Sequence, residues 1–110
     1  MKKDDTVYLQ HILDAIHRIE SYTQGVLKEK YLEDGLLQDG VVRQLEIIGQ
    51  ASVNLSDEFQ EEHSYIPWGQ IIGLRNRIVH AYFNINLDIT WDIVQVDIPT
   101  LKRQIESILF

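Results

Sequence analysis

The 110-residue sequence contains no cysteine. Disulfides, thiolate nucleophiles and cysteine-bound zinc are excluded together. Only two prolines and six glycines interrupt the chain, and no segment is biased enough in composition to be disordered. There is no basic-then-apolar leader pattern and no long apolar run, which predicts a cytoplasmic protein with no membrane partner. Positive charge is also short. The net charge of −7 argues against a generic polyanion binder, whose field must attract phosphate. No metal-ligand set is visible: His11 and His17 stand six apart rather than one helical turn. No cofactor motif is present.

One absence is local. Between Glu62 and Asp88, 25 successive positions carry no acid, although 17 acids are spread over the chain. An even distribution would place about four there. The same window holds His63, Arg75, Arg77 and His80. An acidic protein thus contains one locally basic segment.

Hydrophobic spacing is helical throughout. Tyr8, Ile12, Ala15, Ile16, Ile19 and Tyr22 mark a helix over 5–22. A short turn is expected over 26–32. Asp34 is the predicted N-cap of a long helix with the stripe Leu37, Val41, Leu45, Ile48, Ala51 or Ser52, and Leu55. Ser56 caps a short helix ending at Glu62. Ile66-Pro67-Trp68 opens the next, with proline where its missing N–H costs least. That helix is expected to run to Asn84. Asp88 is the expected cap of another, with Ile89, Ile93 and Val96 on one face, and Pro99 kinks or restarts it. Leu101, Ile105, Ile108 and Leu109 close the chain. No strand alternation and no repeat are found. The prediction is all-α: an antiparallel bundle of four to five helices forming a single domain over 1–110. Trp68 and Trp91 are expected to anchor the core or a dimer. Asp57, Glu58, Glu61 and Glu62 are expected to form a solvated face.

On a helical wheel, Arg75 falls at the centre of an apolar face with Ile71, Ile72, Ile78, Val79 and Tyr82, all within about 60°. Gly73, Asn76 and His80 form a neighbouring stripe. A charge so placed must snorkel, meet a buried carboxylate, or wait in a cleft for an anion. A lone histidine is more often structural than catalytic. Beside a guanidinium and an asparagine, however, it suits acid–base chemistry on a phosphodiester. Without a metal the nucleophile must come from the substrate, and RNA supplies its 2′-hydroxyl. One histidine per chain leaves in-line cleavage short of a partner; a two-fold dimer would provide two.

Arg75, Asn76, His80 and Tyr82 spell R-N-x-x-x-H-x-Y. Together with "LEIIGQA" (Leu45–Ala51), "IPWGQIIGLRNRIVHAYF" (Ile66–Phe83) and "LDITWDIV" (Leu87–Val94), the motif resembles the HepT-like toxins of the HEPN superfamily. The resemblance implies a homodimeric HEPN-like bundle acting as a ribonuclease, with Arg75 and His80 catalytic and Asn76 assisting. It also implies a toxin of a two-gene, type VII-like toxin–antitoxin pair. Its partner would be a minimal nucleotidyltransferase antitoxin able to place AMP on Tyr82. Asn84 stands where many relatives have glycine, a position whose turn asparagine also tolerates. Tyr82 could equally be packed aromatic bulk. Two other readings remain at this level: a non-catalytic HEPN module that binds a nucleotide or protein beside a nucleotidyltransferase, and a structural helical dimer.

Overall fold

The computed structural model describes residues 1–80 and 84–110. The expected all-α bundle is observed. Helix α1 (Lys3–Thr23) is followed by α2 (Lys28–Glu33), α3 (Gly35–Val53), α4 (Asp57–Glu62), α5 (Trp68–Ile72) and α6 (Leu74–Ile78). After a two-strand pairing come α7 (Leu87–Asp92), a π-helical segment (Ile93–Asp97) and α8 (Ile98–Leu109). The core lies where α1 packs on α3 and α8. Leu9, Ile12, Leu13, Ile16 and Ile19 of α1 meet Val41, Leu45 and Ile48 of α3 and Ile98, Leu101 and Ile105 of α8, all buried. Each such side chain contributes roughly 1.5–3 kcal/mol of burial free energy. Tyr22, expected on the same stripe, is 37% exposed. Both tryptophans pack inward, Trp68 buried and Trp91 against Tyr31 at 5.3 Å. Among the described residues no helix is long and apolar enough to cross a membrane.

Local capping chemistry sets the helix starts. Asp34 accepts from the Leu37 N–H at 3.0 Å and Ser56 from the Phe59 N–H at 3.2 Å. Ser56 also reaches across the fold, its N–H and hydroxyl each donating to the Asp5 carboxylate at 2.7 Å. This clamps the start of α1 to the start of α4.

Several expectations are corrected. The helix expected to run from Ile66 to Asn84 is broken at Gly73, which closes α5 and opens α6. A Cβ there would lie 3.1 Å from the Gly69 carbonyl oxygen, so a side chain would make that carbonyl give by a few tenths of an ångström. The helix then ends at Ile78, and Val79 turns extended (ψ 118°). β-Branched Ile78 and Val79 suit that change. Val79 and His80 (β1) pair antiparallel with Ile85 and Asn84 (β2), where no strand was expected.

Asn86, not Asp88, caps α7; its side chain accepts from the Ile89 N–H at 3.0 Å. Asp88 instead binds Lys28 at 3.0 Å. Ile89 and Val96, expected inside, are 38% and 64% exposed, while Thr90, Ile93 and Val94 are buried. Thr90, Ile93 and Val94 keep ordinary helical spacing and leave Ile89 off their stripe; at Val96 proline explains the change. Pro99 has no N–H for the Gln95 carbonyl and its ring crowds that group. The helix relaxes to π spacing, with the Ile98 N–H bonded to the Ile93 carbonyl. The extra residue per turn rotates the apolar stripe.

Candidate active site

Residues Arg75 and Asn76 sit in the first turn of α6, and both are exposed. They line a cleft of about 300 Å³ against α3, opposite Glu46, Gly49, Gln50 and Val53. Gly49 allows the close approach that forms the floor: a Cβ on it would stand 3.2 Å from the Ile71 carbonyl oxygen. Leu74 and Ile78, four apart, bury themselves and orient the helix.

Arg75 therefore does not occupy the centre of an apolar face, as the wheel implied. The wheel assumed one continuous helix, and the break at Gly73 turns α6 so that Leu74 and Ile78 take the core. The result is a guanidinium at the lip of an open cleft. Among the described residues, no ion pair and no side-chain hydrogen bond engages it. Arg77, next but one along α6, donates to Asp97 at 3.1 Å. The acids of α4 are exposed, as expected.

The stripe linking Gly73, Asn76 and His80 is likewise interrupted. His80 lies in β1, its backbone opposite Asn84, so its relation to Asn76 is not that of one helical turn. Tyr82 falls outside the described residues. Among those described, no group of three or more His, Asp or Glu side chains is placed to hold a metal ion.

The α3 wall escaped assignment from sequence. Its residues Glu46, Gly49 and Gln50 lie within the segment Leu45–Ala51 that carries the family resemblance. That segment was a signal of likeness, but nothing in its spacing shows which residues face Arg75.

The helical bundle presents Arg75 and Asn76 in one cleft, Arg75 without an ion pair among the described residues, and His80 follows Arg75 by five residues. The chain belongs to the HepT-like ribonuclease family: residues 12–108 match the family described as "Ribonuclease HepT-like". It is 41% identical over 109 residues to a Methanocaldococcus jannaschii protein named "Gamma-glutamylcyclotransferase and putative RNase", which covers 99% of this chain and 49% of that protein. The chain thus spans about half the length of that relative. It is 40% identical over 102 residues to a "Putative RNase" of Caldanaerobacter subterraneus subsp. tengcongensis, covering 93% of this chain and 91% of the relative. It is 39% identical over 108 residues to "Probable ribonuclease HepT" of Thermococcus cleftensis, covering 98% of each. No solved structure matches the chain.

Proposed function

We propose that this chain is a metal-independent endoribonuclease toxin, active as a homodimer and held in check by a nucleotidyltransferase antitoxin. The observation that carries the reading is Arg75, unpaired among the described residues and set beside Asn76 in an open cleft. An unpaired guanidinium in a concavity is built to receive an anion. Family membership and the ribonuclease names of the relatives support RNA as the source of that anion.

In this mechanism Arg75 holds the scissile phosphate and offsets the charge that develops on it. Asn76 orients the substrate or the histidine. A base takes the proton of the 2′-hydroxyl, the 2′-oxygen bonds to phosphorus, and the bond to the 5′-oxygen breaks. An acid returns a proton to that oxygen. His80 fills one of these roles, and the partner subunit's copy of the motif fills the other. Ile72 and Val53 support an interface here: both line the Arg75 cleft, and they are 37% and 50% exposed. Adjacent exposed apolar side chains are surface that a partner can cover.

Control follows from chemistry at Tyr82. The antitoxin transfers AMP from ATP to the phenol oxygen, releasing pyrophosphate. The new phosphodiester carries a negative charge that competes for Arg75, and the adenosine blocks RNA.

The deciding experiment is to incubate the purified chain with RNA before and after co-expression with a cognate nucleotidyltransferase. The expected result is cleavage by the unmodified dimer, and its loss when mass spectrometry finds AMP on the Tyr82 peptide. A folded dimer that binds RNA or the antitoxin without cutting would establish the non-catalytic module instead.

A further inference from the structure

The cleft holding Arg75 has a neighbour. Glu46 and Gln50 line it from the exposed ridge of α3, and the same two side chains line a second cleft of about 340 Å³ on the α1 side of that ridge. The second cleft adds Tyr8 and His11 from α1, with Arg43 from α3 and Asn54 just after it. Tyr8 and His11 meet edge to face, with ring centres 6.0 Å apart. Arg43 makes no ion pair among the described residues, although Glu46 stands only three positions further along α3.

The charge balance in these clefts is unlike that of the chain. The protein carries 17 acids against 10 basic residues. The two clefts together are lined by two arginines, one histidine and a single carboxylate, that of Glu46. The clefts flank one helix, so they lie ~10 Å apart. A few nucleotides of an extended single strand span that separation. An RNA strand with its scissile phosphate on Arg75 can cross the α3 ridge and place a later phosphate on Arg43.

Glu46 then stands between the two phosphate positions. Its carboxylate repels phosphate, and it accepts hydrogen bonds from the exocyclic amine of a base. Uracil has no such amine. The edge-on Tyr8–His11 pair supplies aromatic surface of the kind on which unpaired bases stack.

We infer that the Tyr8–His11–Arg43 cleft is a second RNA subsite. There Arg43 holds a phosphate downstream or upstream of the cut, and Glu46 favours an amine-bearing base over uracil. The inference rests on the ribonuclease reading above.

The test uses the full-length chain carrying His80→Ala, so that RNA is bound without being cut, with folding checked by circular dichroism. Fluorescence anisotropy measures its affinity for short oligo(A), oligo(C) and oligo(U) over a series of salt concentrations. In this background Arg43→Gln is expected to reduce the slope of log affinity against log salt by ~0.7, the loss of one phosphate contact on a single strand. The same slope should survive Arg103→Gln on the remote α8. Glu46→Ala is expected to tighten oligo(U) binding and erase the preference for oligo(A) and oligo(C). Tyr8→Leu is expected to weaken all three about tenfold through lost stacking. If the parent protein cuts RNA but Arg43→Gln leaves the slope unchanged, or Arg103→Gln lowers it equally, the subsite is overturned while the ribonuclease reading stands. If base preference survives Glu46→Ala, the assigned base reading is wrong. If the uncut parent neither binds nor, with His80 restored, cleaves RNA, both readings fall.

Discussion

Arg77 donates through Nη2 to the Asp97 carboxylate at 3.1 Å, joining the motif helix α6 to the π-helical segment before Pro99. A five-residue helix such as α6 has almost no stability of its own. It is held by the burial of Leu74 and Ile78, with this ion pair outside them. The side chains are 37% and 41% exposed, so solvent screens the pair. Asp97→Ala is expected to lower stability by less than about 1 kcal/mol, read from urea denaturation. A loss several times larger would make the pair a principal support of the site.

Arg75→Ala and His80→Ala should each abolish RNA cleavage in a protein that stays folded. Arg75 is exposed and unpaired among the described residues, so its removal leaves no cavity and no orphaned partner. The expected fall is roughly 10²–10³-fold for Arg75 and 10²–10⁴-fold for His80, from lost charge stabilisation and lost proton transfer. Circular dichroism and an RNA gel on the same preparations check it. A folded His80→Ala protein with full activity would refute the mechanism.

Cleavage should persist in excess EDTA and leave a 2′,3′-cyclic phosphate or the 3′-phosphate formed from it. The histidine chemistry needs no Lewis acid, and the described residues present no three-ligand cluster. Analysis of the cleaved ends by mass spectrometry distinguishes this from a metal-activated water, which leaves no cyclic product. Activity lost on chelation and restored by a divalent ion contradicts the prediction.

The Asp5–Ser56 clamp makes stability depend on acid pH. Burial pushes the Asp5 carboxyl up, but the Ser56 hydrogen bonds, with Lys2, outweigh it and hold the group below its ordinary 3.8. A carboxyl lowered on folding adds stability above its unfolded value, and that stability disappears as pH falls through the folded value. Asp5→Ala is therefore expected to cost about 1–3 kcal/mol at neutral pH. The difference from the parent should shrink at an acid pH below the folded value, where both lack the charge. Urea midpoints at the two pH values measure it.

Tyr31 offers the opposite case. Burial pushes its phenol up to about 12. The neighbouring Thr90 hydroxyl donates to the Asn86 carbonyl at 2.7 Å, and no hydrogen bond is completed to the Tyr31 oxygen. Tyr31→Phe removes a buried polar atom without a partner and keeps the ring on Trp91. The expected thermal midpoint is equal to or above that of the parent, since an unsatisfied buried hydroxyl costs roughly 1–3 kcal/mol. A clear drop would show that the hydroxyl is satisfied after all.

Much of this architecture is written locally. Asp34 and Ser56 are caps because a short side-chain oxygen reaches the third N–H after it, whatever the rest of the chain does. The stripes of α1 and α3 are long enough for their period to leave one solution, and Ile12, Ile16, Leu45 and Ile48 are buried as that period requires. The residues of the proposed site, Arg75, Asn76 and His80, are legible as candidates from their identities and spacing.

The tertiary structure decided how those residues are presented. Apolar spacing over 66–84 is the same for one helix as for two short helices and a strand. The choice was made by Gly73 against the Gly69 carbonyl, and by the pairing of Val79 with Ile85. That choice moved Arg75 from an apolar face to the lip of a cleft. The same holds for the approach to α8, where the π segment before Pro99 leaves Val96 outward. The wall facing Arg75 comes from α3, some thirty residues earlier (Glu46 and Gln50), and no local period can report a contact made across the fold. Sequence determines which groups are available and where helices begin; which of them share a cleft depends on how whole helices pack, because burial acts on the assembled surface and not on neighbouring positions in the chain.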